Sequence, residues 1–346
     1  MRLAPIAKFY SMKLNPASTQ QVFWKPGNVP IASLGQLVFS TLLLPLLLAW
    51  CGCHSSGRPD AVAGLYSKSV VVPNLTYLKI DGTDLQLDVY VPAKELGGAP
   101  WVKFSDERKP VLLYIHGGGW TDLNRAYRNL NFLPYVEKGW AVVNIDYRLL
   151  KQAPFPACIA DCRHALNWIY ENADGFKFDT SRIVVSGESA GGHLALMTGF
   201  LTNDAAFAIP NHPITRELKV AAVVNWFGIS DVGRIMEFWN SPSYITNLVG
   251  DLSKKEEIYQ SCSPLTRINA SVPPVLTIHG DADQVVPFDQ ATRLHEALNQ
   301  CGVKNQLHVV KGKKHGNFDE QEMSENFRII WKFLDEVGVN PATKRK

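Results

Sequence analysis

Gly187-Glu188-Ser189-Ala190-Gly191 sets a serine between two glycines, just after the apolar run 183–185 and just before Gly192-His193-Leu194-Ala195-Leu196-Met197. Strand, tight turn and helix in that order predict a nucleophile elbow. The two glycines leave out side-chain volume, so the serine hydroxyl can project from the apex of a strained turn. Such a serine needs a base to take its proton and an acid to orient the base. It also needs N–H donors for the oxygen that becomes negative on attack. Alone the pattern is weak, since chance supplies it in roughly one chain in ten of this length.

The donors have an obvious source. The apolar run 111–115 ends in His116-Gly117-Gly118-Gly119-Trp120. Three consecutive glycines let backbone N–H groups turn inward and converge, while a further donor comes from Ala190, the residue after the serine. Each such donor contributes about 3 kcal/mol to the transition state. His116 precedes the glycines, a place that suits bracing the loop better than proton transfer. Trp120 is a candidate for the mouth of the substrate pocket, with packing on a neighbouring strand as the alternative.

The acid and base follow the serine in the chain. The run 275–278 leads into His279-Gly280-Asp281-Ala282-Asp283-Gln284-Val285-Val286-Pro287, where two aspartates compete. Asp281 follows the strand closely, and Asp283 lies deeper in the loop. Three histidines come later. His295 has helical apolar neighbours and His308 lies within a strand. His315, in Gly312-Lys313-Lys314-His315-Gly316-Asn317, has the loop position a base requires.

These residues need elements to hold them. Residues 75–80 and 85–91 alternate around Asp81-Gly82-Thr83 and read as an antiparallel hairpin. Short apolar runs at 111–115, 141–145, 183–185, 220–226, 275–278 and 306–310 follow, with helical stretches at 156–172, 191–202, 288–300 and 324–337. Buried strands alternating with amphipathic helices predict an α/β fold, a mostly parallel central sheet with helices on both faces. Ligands bind beyond the carboxyl ends of such strands, where each polar motif falls. The segment 230–272 is longer than a plain connection and carries Trp239, Tyr244 and Tyr259. It predicts small helices forming an acyl pocket or a partial lid.

The chain resembles α/β-hydrolases of the carboxylesterase/lipase group that includes hormone-sensitive-lipase-like and bacterial feruloyl-esterase-like (BD-FAE) proteins. The resemblance rests on His116-Gly117-Gly118-Gly119-Trp120, Asp146-Tyr147-Arg148-Leu149, Gly187-Glu188-Ser189-Ala190-Gly191-Gly192, His279-Gly280-Asp281-Ala282-Asp283 with Val286-Pro287, and His315-Gly316. It implies a triad of Ser189, Asp283 and His315, because the family's acid is the later aspartate of its loop. It implies oxyanion donors at Gly117, Gly118 and Ala190, a small-molecule ester substrate, and no cofactor or metal. A formamidase acting on N-formyl aromatic amines, with a similar glycine loop ending in tryptophan, is the rival activity. A non-catalytic binding protein on the same fold is the alternative from another class.

The remaining sequence sets boundaries. A net charge of +3 over 346 residues is too small to suggest a nucleic-acid partner. No acid precedes Asp60, and residues 31–50 form an apolar run behind Arg2, Lys8, Lys13 and Lys25. That order predicts export, to the periplasm, the membrane or the medium. The N-terminus would be cleaved, lipidated at Cys51 or Cys53, or kept as a membrane anchor. Residues 1–54 are thus read as signal or anchor, 55–73 as linker, 74–338 as the hydrolase domain and 339–346 as a basic tail. Cys158 and Cys162, one helical turn apart, are expected to be buried helix residues; with Cys262 and Cys301 they could also pair in an exported protein.

Overall fold

The computed structural model describes residues 69–92, 107–127 and 129–340. The apolar run 31–50, Cys51, Cys53 and Lys344-Arg345-Lys346 lie outside them. In order, the elements are β1 (Ser69–Ile80), β2 (Thr83–Pro92), β3 (Lys109–Ile115), α1 (Leu133–Glu137), β4 (Ala141–Ile145), α2 (Ala157–Glu171), α3 (Ala173–Phe176), β5 (Phe178–Glu188) and α4 (Ala190–Phe200). They continue with β6 (Ala222–Trp226), α5 (Val232–Trp239), α6 (Pro242–Val249), α7 (Lys255–Ser261), β7 (Val275–Gly280), α8 (Asp289–Gln300), β8 (Asn305–Val310) and α9 (Glu320–Glu336).

The strands form one eight-stranded sheet in the order β1-β2-β4-β3-β5-β6-β7-β8. β1 and β2 are antiparallel, β2 meets β4 antiparallel, and every later pairing is parallel. The hairpin turns through Asp81 and Gly82, both at positive φ (49° and 73°), the two-residue turn whose twist matches the flanking strands. β1 starts at Ser69, inside the stretch read as linker. Val70, Val71 and Val72 pair with Val91, Tyr90 and Val89, and an irregularity between Val72 and Leu75 takes up Pro73. A proline cannot donate to the ladder, and the shift with Asn74 at φ 58° lets the strand continue past it.

β3, β4, β6 and β7 are buried along their whole length, as strands covered on both faces must be. Side chains alternate between two cores. Val111, Leu113 and Ile115 face one core with Ile159 and Leu166 of α2 and Leu194 of α4. Leu112 and Tyr114 face the other, with Phe327, Ile330 and Phe333 of α9. α9 starts earlier than the expected residue 324 because Asp319 and Glu322 form a capping box that satisfies its first N–H groups. Cys158, Cys162 and Cys262 are buried free thiols, and Cys301 is a half-buried one. Burial pushes the Cys158 and Cys162 thiols well up, so neither is a ready nucleophile. No helix among the described residues is long and apolar enough to cross a membrane.

Candidate active site

β5 ends at Glu188 and α4 begins at Ala190, so Ser189 alone makes the turn, at φ 55° and ψ −120°. That backbone is costly for a residue with a Cβ and persists only where the surroundings hold it. Here the Ser189 N–H donates to the Trp226 carbonyl of β6 at 2.9 Å, and its carbonyl accepts from His193 at 3.0 Å. Gly187 and Gly191 press against the end of β3, where a Cβ on Gly191 would collide with the carbonyls of Ile115 and His116. The elbow is therefore wedged against the start of the glycine loop. Ala190 opens α4, so its N–H has no carbonyl within the helix to bond.

The glycine loop is braced on both sides. The His116 ring is buried, stacks on Tyr147 at 4.4 Å and donates from Nδ1 to the Gly117 carbonyl at 2.8 Å. The Tyr147 hydroxyl donates to the His116 carbonyl at 3.1 Å. His116 thus has the bracing place expected of it, and burial holds its imidazole below the usual range. Gly118 sits at φ 104°, where a Cβ would meet the Asp122 carbonyl. Gly118→Ala should therefore cost about 1–3 kcal/mol in chemical denaturation. If Gly118 is an oxyanion donor, displacing it should also cost about a hundredfold in kcat.

Of the two places open to Trp120 by sequence, the pocket mouth or packing, the side chain is found packed. Trp120 lies at φ 61° and is fully buried, packed edge-on against Phe155 and His193 at 5.3 and 5.0 Å. It lines no open mouth. Its Nε1–H donates to His193 Nδ1 at 3.2 Å, and His193 Nε2–H donates to the Cys262 carbonyl at 2.8 Å. The indole can only donate and the carbonyl can only accept, so His193 is held neutral in a single tautomer. The tryptophan therefore anchors the glycine loop to the helix that follows Ser189. Tyr244 of α6 donates to the Gly119 carbonyl, and Trp239 of α5 donates to the Val285 carbonyl at 2.8 Å. The helices α5 and α6 consequently tie together the glycine loop and the loop that carries Asp283.

Of the two competing aspartates, Asp283 is the one brought to His315. Asp283 Oδ2 accepts from His315 Nδ1 at 2.7 Å, and Oδ1 accepts from the N–H groups of Val285 and Val286 at 2.8 and 3.0 Å. Asp281 is exposed and accepts from the Gly312 N–H, closing the turn at the end of β8. Burial pushes the Asp283 carboxyl up, but bonds from His279, His315 and the loop N–H groups outweigh it and hold it well below the usual range. The Phe227 ring lies against the His315 ring at 4.7 Å, its own backbone at φ 39°. His295 packs inside α8 and donates from Nδ1 to Asn305 Oδ1 at 2.6 Å, while His308 stays in β8. The Asp146-Tyr147-Arg148 run had no role by sequence. Its arginine forms a buried ion pair with Asp161 at 2.7 Å, and its aspartate pairs with Arg125. Among the described residues, no group of three or more His, Cys, Asp or Glu side chains is placed to hold a metal ion.

Burial also pushes the imidazoles of His164, His193 and His295 down to about 4. Below the ordinary histidine value of about 6.5, the unfolded chain takes up protons that the folded chain refuses. Stability should then fall as pH drops from about 6.5 towards 4. Urea unfolding should show a lower midpoint near about pH 5 than near about pH 7, and His295→Gln should reduce the difference.

The BD-FAE family matches residues 87–298, more than half of the 346-residue chain. The chain belongs to that family. This BD-FAE protein is 32% identical over 198 residues to Esterase LipC of Mycobacterium tuberculosis (strain ATCC 25618 / H37Rv), covering 55% of this chain and 48% of LipC. It is 24% identical over 241 residues to the isoprenylcysteine alpha-carbonyl methylesterase ICME of Arabidopsis thaliana, covering 66% and 53% of the two chains. It spans about half the length of the curated relatives it matches. Among solved structures, a truncated carbohydrate esterase from gut microbiota superposes with a TM-score of 0.65 at 25% identity, covering 79% of this chain and 98% of that one. Thermogutta terrifontis esterase 2 phosphoramylated by tabun does so with 0.64 at 25% identity, covering 80% and 97%. The fold of this BD-FAE protein is thus that of the α/β-hydrolase esterases.

Proposed function

We propose that this BD-FAE protein is a serine carboxylic-ester hydrolase for small or aromatic acyl esters, with Ser189 as nucleophile, His315 as base and Asp283 as acid. The observation that carries the reading is the 2.7 Å contact of Asp283 Oδ2 with His315 Nδ1. It lies beyond the carboxyl ends of β7 and β8, and Ser189 likewise follows the carboxyl end of the parallel strand β5. With Nδ1–H given to the carboxylate, Nε2 of His315 is left as the basic nitrogen. It takes the Ser189 proton as Oγ forms a bond to the ester carbonyl carbon. The N–H groups of Gly117, Gly118 and Ala190 receive the oxyanion. Collapse expels the alcohol, which takes its proton from His315, and leaves an acyl group on Ser189. Water then repeats the sequence and releases the acid.

Trp239 and Tyr244 support the restriction to small or aromatic acyl groups. Their rings meet edge-on at 5.3 Å, and their hydrogen bonds reach the glycine loop and the Asp283 loop, which narrows the space beside them. A p-nitrophenyl ester series should show kcat/KM highest at acetate to butyrate and falling steeply with longer chains. Feruloyl esters and acetylated xylan, run in parallel, separate an aromatic or carbohydrate ester from a simple one. Activity confined to long acyl chains, or to N-formyl amines, would overturn the assignment.

Export is part of the same proposal, supported by the apolar run 31–50 behind basic residues and by Cys51 and Cys53 at its end. The intact mass of the protein recovered from producing cells distinguishes cleavage, a lipid at either cysteine, and a retained anchor. An unprocessed cytoplasmic chain would contradict export.

A further inference from the structure

His279 is the penultimate residue of β7, fully buried, and neither the catalytic reading nor the family match gives it a role. Its Nε2 lies 2.9 Å from the Val286 carbonyl, which can only accept, so that nitrogen carries the proton. The same nitrogen is 3.3 Å from Asp283 Oδ2, the oxygen that receives His315. Val286 in turn donates its N–H to Asp283 Oδ1 at 3.0 Å. These contacts close a ring: the imidazole holds the carbonyl of Val286, the amide of Val286 holds one carboxylate oxygen, and the imidazole lies against the other.

We propose that His279 is a positioning residue, whose Nε2–H clamps the acid loop and fixes the Asp283 carboxylate in the orientation His315 requires. Without it, Oδ2 keeps only His315, and the carbonyl of the buried Val286 loses its donor. The other ring nitrogen points the same way. Nδ1 is buried and finds no protein partner among the described residues. Burying it is a desolvation cost that an apolar core side chain would avoid. A residue present only to fill space against Phe288, whose ring lies 5.7 Å away, needs no such nitrogen.

The proposal rests on the triad reading, and the test separates the two. The full chain is assayed with p-nitrophenyl acetate as wild type, His279→Leu, His279→Asn, His279→Gln and Asp283→Asn. A glutamine amide reaches the Nε2 position, whereas an asparagine amide reaches only that of Nδ1. His279→Leu and His279→Asn should lose about tenfold in kcat with KM within about twofold, the scale of one hydrogen bond to a charged group. His279→Gln should recover most of the loss. If His279→Leu does not fold, the Asn and Gln pair decides the matter. Wild-type kcat in a folded Leu or Asn variant, or equal loss in Asn and Gln, would overturn the clamp. An inactive Asp283→Asn beside either result leaves the triad standing. An active Asp283→Asn removes the triad reading and the clamp with it.

Discussion

Ser189→Ala should lower kcat for p-nitrophenyl acetate by about a million-fold, the scale seen when a hydrolase loses its nucleophile. The fold should survive. Alanine keeps the Cβ that already occupies the φ 55° turn, and the contacts holding that turn are backbone bonds to Trp226 and His193. Circular dichroism and the denaturation midpoint should therefore match the parent, which separates lost chemistry from lost structure. Turnover close to the parent's would remove Ser189 from the reaction.

Asp283→Asn should cost about ten-thousandfold in kcat, and Asp281→Asn less than about tenfold. The physical difference lies in what each carboxylate holds. Asparagine at 283 could present an amide N–H towards His315 Nδ1, favouring the tautomer whose Nε2 is already protonated and cannot accept the serine proton. Asp281 holds only the Gly312 N–H at the surface, a bond whose loss loosens a turn without touching the base. Parallel kcat measurements on the two variants decide between the aspartates. The reverse order of losses would move the acid to Asp281.

Much of this site was legible because each part sits at the end of a strand that declares itself by composition. The runs at 111–115, 141–145 and 275–278 are almost wholly apolar since helices cover both faces of the sheet, and the motifs follow them directly. The choice between Asp281 and Asp283 was not legible from spacing. What turns Asp283 towards His315 is a pair of N–H donors, from Val285 and Val286, and no pattern of residue types encodes that direction.

The direction of the Trp120 side chain, out to the pocket or into packing, was open by sequence for a related reason. After three glycines the backbone is free to reverse, and at φ 61° it sends the indole into the core towards His193 instead of out to the pocket. His279 went unassigned because a histidine at the end of a buried strand reads as core until its distance to Asp283 is known. The early start of β1 at Ser69 was hidden by Pro73, which signals a break unless the ladder can shift around it.

The central claim is that Ser189 forms the covalent bond to the acyl group. Paraoxon transfers a diethylphosphoryl group to an activated serine and gives a stable adduct in place of the transient acyl-enzyme. Treatment of the full chain with one equivalent, followed by peptide mass spectrometry, should find a single diethylphosphoryl group on the peptide carrying Ser189, with loss of esterase activity in proportion. Ser189→Ala should take up none. Labelling at another residue, or full inhibition with Ser189 unmodified, would contradict the account.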